Sequence, residues 1–216
     1  MIEAVIFDMD GVIIDTESIY KKIESKMYKD LGIKMSREEA LSNMGKGVFN
    51  WWCILKEKYH LKEDPQALAD YEIQTYIDYL FDDCKQKKFM DGIGDSVRTL
   101  KKKNYKIALA SGSERAAVER VLDLSEFREC FDVTISNSDV KKCKPDPEIF
   151  LIAAEKLKVD PVKCLVIEDS YNGIKAAKTA GMTCLAYTSA PEGMIDYSLA
   201  DGLLDHHNQL YDKYLK

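Results

Sequence analysis

Ala4-Val5-Ile6-Phe7-Asp8-Met9-Asp10-Gly11 opens with four apolar residues and ends on two carboxylates and a glycine. A short, unbroken apolar run of this kind reads as a strand buried on both faces, the habit of a parallel sheet. Residues 107–110, 164–167 and 183–186 have the same character, and Val133–Ile135 is a weaker version. Helical periodicity fills the gaps between them, over 113–122, 147–157 and 171–180. Asp146-Pro147 and Asp160-Pro161 read as helix starts, with Asp capping and Pro in the first turn. Gly181 reads as a helix C-cap. Strands alternating with helices predict an α/β fold, a doubly wound parallel sheet with a Rossmann-like core.

One segment breaks the rhythm. Residues 16–88 hold no convincing strand, and helical periodicity runs through 18–31, Val48–Tyr59 and Pro65–Phe81. A crossover between parallel strands needs only about a dozen residues. The excess predicts an inserted helical domain over 16–88, with the core built from 1–15 and 89–216. The insertion carries 13 Lys/Arg against 13 Asp/Glu, so neither sign dominates it.

The 216 residues are 46% hydrophobic and 31% charged, as expected of a folded domain with a sizeable core. A formal charge of −6 argues against a nucleic-acid binder with a broad basic surface. No apolar run approaches the roughly 20 residues needed to span a bilayer, so no membrane partner is expected. The first ten residues lack a basic segment followed by an apolar stretch, so no signal peptide is expected. The six cysteines form no C-x-x-C pair and read as reduced thiols of a cytoplasmic protein. Nothing demands more than a monomer.

In open α/β sheets, ligands bind at the carboxyl ends of the strands. Here those ends carry Asp8-Met9-Asp10-Gly11, Ser111-Gly112-Ser113, Lys144-Pro145-Asp146 and Glu168-Asp169-Ser170. Taken singly, each has an ordinary reading as a turn, a cap or a loop. Taken together, on consecutive strand ends, they predict one pocket. Phosphoryl transfer needs an in-line nucleophile and positive charge around the equatorial oxygens. A carboxylate serves as nucleophile by forming an aspartyl phosphate, and Asp8 is the candidate. Two anions repel, so a hard cation is expected, and Mg²⁺ takes one or two carboxylates plus water and phosphate oxygens. Asp8 and Asp169 can supply those carboxylates. Lys144 adds fixed positive charge. Ser111 and backbone N–H groups near Gly112 can donate to phosphate oxygens. Asp10 is placed to protonate the leaving group and then activate water.

These motifs resemble the haloacid dehalogenase-like superfamily, in its β-phosphoglucomutase-like branch of small phosphatases and phosphosugar mutases. Asp8-Met9-Asp10-Gly11-Val12 matches the first motif, with Asp15-Thr16-Glu17 following. Ser111 matches the second, Lys144-Pro145 the third, and Glu168-Asp169-Ser170 with Gly173 the fourth. The helical insertion matches that branch's cap. The resemblance implies that Asp8 is nucleophile and Mg²⁺ ligand, and that Asp10 is the general acid/base with its carbonyl on the metal. It implies Asp169 as a further ligand, Glu168 acting through metal-bound water, Ser111 and Lys144 holding the phosphoryl group, and Thr16 as cap hinge. Asp10 also points to phosphoester chemistry, since dehalogenation in this superfamily does not use Asp there.

The resemblance has departures. Sugar mutases of this branch typically place a His shortly after the hinge Thr, where this chain has Tyr20. They also carry a basic cap-loop residue for a distal phosphate. Lys46 is a loose match, and a solvated loop lysine is the favoured reading. Arg115 stands where those mutases often have Asn, and a pair with Glu119 is favoured over phosphate binding. Trp51 and Trp52 point about 100° apart on a helix, so one could line the cap–core cleft. Packing of both is favoured. The expected function is a Mg²⁺-dependent phosphatase acting on a small phosphorylated metabolite. A phosphosugar mutase is the alternative. A non-catalytic binding protein is a remote third, because it would have no use for both a nucleophile and an acid/base.

Overall fold

The computed structural model describes residues 1–36, 39, 47–188 and 195–216. The chain divides into two compact units, one of Met1–Asp15 with Lys87–Lys216 and one of Thr16–Gln86.

The first unit is built on a single six-stranded sheet. Its strands are β1 (Ala4–Phe7), β2 (Lys106–Ala110), β3 (Val133–Ile135), β4 (Cys164–Glu168), β5 (Thr183–Tyr187) and β6 (Gly202–Leu204), in the order β3-β2-β1-β4-β5-β6. Every neighbouring pair is parallel. All four residues of β1 are buried, as their apolar character demands. Ala4 and Ile6 share one core with Phe150 and Ala154 of a helix over Glu148–Leu157 and with Ile174 and Ala177 of another over Tyr171–Thr179. Phe7 points the other way and meets Phe131 edge-on at 6.3 Å.

Strand order reverses at β1, whose neighbours are β2 on one side and β4 on the other. Ligands of doubly wound sheets bind at such a switch point. The register pairs Phe7 with Leu109 and with Ile167, so Asp8, Ala110 and Glu168 leave the sheet level with one another.

The structure corrects the sequence reading at several points. It adds a helix over Ile93–Lys102, which buries Ile93, Val97 and Leu100 at helical spacing, and the short edge strand β6. Asp160-Pro161 opens only a 3₁₀ turn, Pro161–Lys163, because β4 begins at the next residue. Asp160 still caps that turn, accepting from Val162 N–H at 3.1 Å. The helix after β2 starts at Arg115, two residues later than expected, because Ser113 is drawn into the strand-end cluster. Gly181, with φ of 75°, follows the helix over Tyr171–Thr179 in the left-handed conformation that terminates helices.

In the second unit, α1 (Glu17–Asp30), α2 (Val48–Tyr59) and α3 (Pro65–Phe81) account for the helical periodicity. Asp64 caps α3 through Ala67 N–H at 3.1 Å, with Pro65 in the first turn. Trp51 and Trp52 are 1% and 0% exposed. Trp51 Nε1 donates to Tyr28 Oη of α1 at 2.8 Å, and Trp52 Nε1 donates to Glu72 Oε2 of α3 at 2.6 Å. Neighbouring helices thus flank α2 on two sides, so both indoles are packed despite their divergent directions. This corrects the reading of either as a substrate contact.

Glu72 is a carboxylate buried beside an indole. Burial, with a contribution from Glu24, raises its carboxyl from 4.5 to about 7, against the Trp52 hydrogen bond. A folded-state value above the unfolded one means that stability is fully present below the unfolded value and is lost as pH rises towards 7. Linkage puts the loss at roughly 2–3 kcal/mol between pH 5 and pH 8. Glu72→Gln keeps an acceptor for Trp52 without the charge. Thermal melts should therefore show the variant close to wild type near pH 5 and several degrees more stable near pH 8. An offset that is the same at both pH values would refute this account.

Candidate active site

Asp8 follows β1 directly, its own N–H donating to Ile167 O of β4 at 3.0 Å. Its carboxylate is buried, 5% exposed, against the ammonium of Lys144, with Nζ 2.5 Å from Oδ1. The same ammonium reaches Glu168 Oε1 at 2.7 Å and lies 5.0 Å above the Phe150 ring. Glu168 is held from behind: Oε2 accepts from Ser170 N at 2.7 Å and Ser170 Oγ at 2.9 Å. Ser170 Oγ in turn accepts from Gly173 N at 3.1 Å, capping its helix. Residues 8, 144 and 168 thus meet through one lysine.

Asp10 sits in a wound turn. Met9 O accepts from the N–H groups of Val12, Ile13 and Ile14 at 3.3, 2.8 and 3.2 Å, and Gly11 N–H donates to Ile14 O at 2.9 Å. Asp10 Oδ2 accepts from Ser113 Oγ at 2.7 Å and from Ser111 Oγ at 3.3 Å. Ser111 is fully buried, and its Oγ also accepts from Ser113 N at 3.0 Å. Ser113 escapes sequence reasoning because a hydroxyl at that place reads equally well as a helix cap. Gly112 is exposed, with open space where a Cβ would stand.

Two glycines set the spacing of the acids. A Cβ at Gly11, where φ is +74°, would fall 1.9 Å from Asp169 Oδ2. A Cβ at Gly173 would fall 1.7 Å from Glu168 Oε1. The electrostatics follow from this crowding. Burial, then Glu168 and Asp10, push the Asp8 carboxyl up to about 7 against the pull of Lys144. Burial, then Glu168, Asp8 and Asp10, push Asp169 well above the usual carboxylate range. Burial alone would lower Lys144, but Asp8 and Glu168 hold its ammonium above its ordinary value. Asp8, Glu168 and Asp169 thus share the Lys144 ammonium, with the Asp10 carboxyl close enough to Asp8 and Asp169 to add to the repulsion. An all-oxygen set with excess negative charge suits a hard divalent cation. Among the described residues, no three His, Cys, Asp or Glu side chains form a ready-made metal cage.

The remaining sequence candidates are more scattered. Thr16 begins the helical unit, with its carbonyl accepting from Ile19 and Tyr20 N–H at 3.0 and 2.9 Å. Arg115 pairs with Glu119 at 3.6 Å, as its helical spacing predicts, and also with Asp139, which the sequence did not reveal. With both carboxylates in contact, its guanidinium reads as a structural ion pair. Lys46 lies outside the described residues.

A parallel sheet whose strand ends gather carboxylates around one lysine defines a class of hydrolase. Residues 2–181 match the haloacid dehalogenase-like hydrolases, and the chain belongs to that family, in its β-phosphoglucomutase-like branch. A phosphorylated carbohydrates phosphatase of Thermotoga maritima is 35% identical over 83% of this chain and 82% of its own. A bifunctional riboflavin kinase/FMN phosphatase of Arabidopsis thaliana is 35% identical over 93% of this chain, which spans 52% of that protein's length. Among solved structures, β-phosphoglucomutase from Clostridium difficile superposes with a TM-score of 0.76 at 29% identity, covering 97% of this chain and 93% of the other.

Proposed function

We propose that this chain is a Mg²⁺-dependent phosphatase that hydrolyses a small phosphorylated carbohydrate or similar metabolite through an aspartyl phosphate on Asp8. The observation that carries the reading is Lys144 set between Asp8 and Glu168, with Asp10 two residues on and held by hydroxyls instead. Two carboxylates in such different surroundings suit two roles, nucleophile and acid/base. The phosphatase relatives support the reaction class.

An Asp8 carboxylate oxygen attacks phosphorus, forming the acyl phosphate as the ester P–O bond breaks. Asp10 gives its proton to the departing alkoxide. Asp10, now a base, takes a proton from water as that water attacks phosphorus, and the Asp8–phosphorus bond breaks to release phosphate. Lys144 and Ser111 hold the equatorial oxygens. Asp8, Asp169 and the Asp10 carbonyl would hold Mg²⁺, with Glu168 behind them. Mg²⁺ would offset the repulsion between carboxylate and phosphate and the charge that develops during transfer. The helical unit serves as the cap, and Thr16 as its hinge.

A mutase is the second reading, favoured by the likeness to β-phosphoglucomutase. Tyr20, where mutases place a His nearby, has its ring stacked on Tyr76 at 4.8 Å and offers no imidazole. A single assay separates the two. Purified protein with Mg²⁺ is given a panel of sugar and nucleotide monophosphates, and phosphate release and isomer formation are both followed. Release without isomerisation is expected. Isomerisation stimulated by a sugar bisphosphate would overturn the phosphatase reading. In the same assay Asp10→Asn should lower kcat about 100-fold, and a near-normal rate would remove Asp10 from the mechanism.

A further inference from the structure

The turn that carries Asp10 has a support from far along the chain. His207 opens a 3₁₀ turn, His207–Gln209, and is fully buried. Its Nε2 lies 2.7 Å from the carbonyl oxygen of Val12, two residues after Asp10. A carbonyl only accepts, so Nε2 carries the proton and donates. The ring is stacked on Tyr187 at 4.4 Å and 15°, and lies 6.1 Å from Phe7. Nδ1 is then a bare lone pair, buried with no hydrogen-bond partner among the described residues. Burial pushes the imidazole down to about 4, so the ring is neutral near pH 7. Gly92 packs closely against the residues flanking His207, since a Cβ there would fall 2.6 Å from Asn208 Oδ1 and 2.7 Å from His206 Cε1.

A residue that only filled this space would be apolar. Phe or Leu would pack against Tyr187 and Phe7 without leaving a buried nitrogen unsatisfied. What the imidazole adds is the hydrogen bond to Val12 O. Val12 is itself fully buried, so without His207 that carbonyl would lose this donor where water does not reach. Met9 O and Ile14 O close the 9–14 turn from inside; Val12 O ties it to His207, beside the bond from Met90 N–H to Ile13 O at 2.9 Å.

We propose that His207 is a positioning residue for the reaction: through the Val12 carbonyl it holds the 9–14 turn, and with it Asp10, in the geometry that proton transfer requires. The kinetic consequence rests on the phosphatase reading, whereas the mechanical one does not.

The test compares wild type with His207→Phe, which keeps the stacking and loses the donor, and with His207→Gln, whose amide nitrogen can stand near the place of Nε2. His207→Phe should lower kcat about 10-fold or more, with KM changed less than about twofold, and His207→Gln should recover at least half of the wild-type rate. In an Asp10→Asn background His207→Phe should cost less than about twofold more, because the residue it serves is already disabled. Amide hydrogen exchange at Val12, Ile13 and Ile14 should quicken about tenfold or more in His207→Phe, with Val166 and Ile167 of β4 unchanged. Should His207→Phe fail to fold, His207→Asn, too short to set an amide at the place of Nε2, carries the same expectations. A kcat within twofold of wild type overturns the proposal, and so does unchanged exchange in the 9–14 turn. A wild type that turns over no phosphomonoester overturns the phosphatase reading instead, and the exchange comparison then decides the role of His207 alone.

Discussion

Asp8→Asn is expected to bring turnover below one part in about a thousand of the wild-type rate, since removal of a covalent nucleophile leaves only binding and charge stabilisation. Residual activity above about one percent would count against Asp8 as nucleophile. The same change should not harm the fold. Burial, and after it the crowding by Glu168 and Asp10, raise the proton affinity of the Asp8 carboxyl against the pull of Lys144. An amide of the same shape relieves that repulsion, while Lys144 keeps Glu168 at 2.7 Å. In metal-free protein the melting temperature should therefore stay level or rise by a few degrees while activity vanishes. Differential scanning calorimetry beside a phosphate-release assay checks both halves. A loss of activity accompanied by a large fall in melting temperature would mean that Asp8 matters for structure instead.

The second large effect lies at a residue with no side chain. Exchanging a helix-interior glycine for alanine ordinarily stabilises a protein by about 0.5–1 kcal/mol. At Gly173 the expected sign is reversed. The new methyl would stand 1.7 Å from Glu168 Oε1 and 1.9 Å from Cδ. Glu168 cannot step aside freely, because Lys144 holds one oxygen and Ser170 N and Oγ hold the other. Either the first turn of the helix shifts or the carboxylate leaves the lysine. Breaking a buried, hydrogen-bonded ion pair costs about 3–5 kcal/mol. Gly173→Ala should lose most of that in chemical denaturation, and kcat/KM should fall about 100-fold or more, with weakened Mg²⁺ dependence. Wild-type stability and rate would show that Glu168 moves away without cost.

Much of this is legible in the sequence because buried parallel strands cannot hide. Ala4–Phe7 has no polar residue to break its run, and its first acid marks the strand end. The edge strand β6 is different. It is three residues long, begins with Gly202 and leaves Leu203 46% exposed, too little apolar pattern to stand out. The Ile93–Lys102 helix follows a glycine and ends in lysines, and only Ile93, Val97 and Leu100 mark its apolar face. At the strand ends, charged residues announce themselves, and Asp8, Lys144 and Glu168 do come together. Ser113 and His207 do not announce themselves. A serine after a glycine reads as a cap, and His207 meets Val12 across 195 residues, a distance no local pattern spans.

The place of β1 in the sheet also bears on how the chain is born. Its hydrogen-bonding partners are β2, which starts at Lys106, and β4, which starts at Cys164. A ribosome adds roughly 5–20 residues per second, so the most apolar strand waits seconds for its first neighbour and longer for its second. Until then an unpaired, fully greasy segment carries its acids alone. Pairings between such distant segments are slow to form, and the helical unit between β1 and β2 lengthens the wait. The order of synthesis therefore leaves the nascent protein most exposed to self-association, and most in need of a chaperone's cover, at the segment that later carries Asp8 into the strand-end cluster.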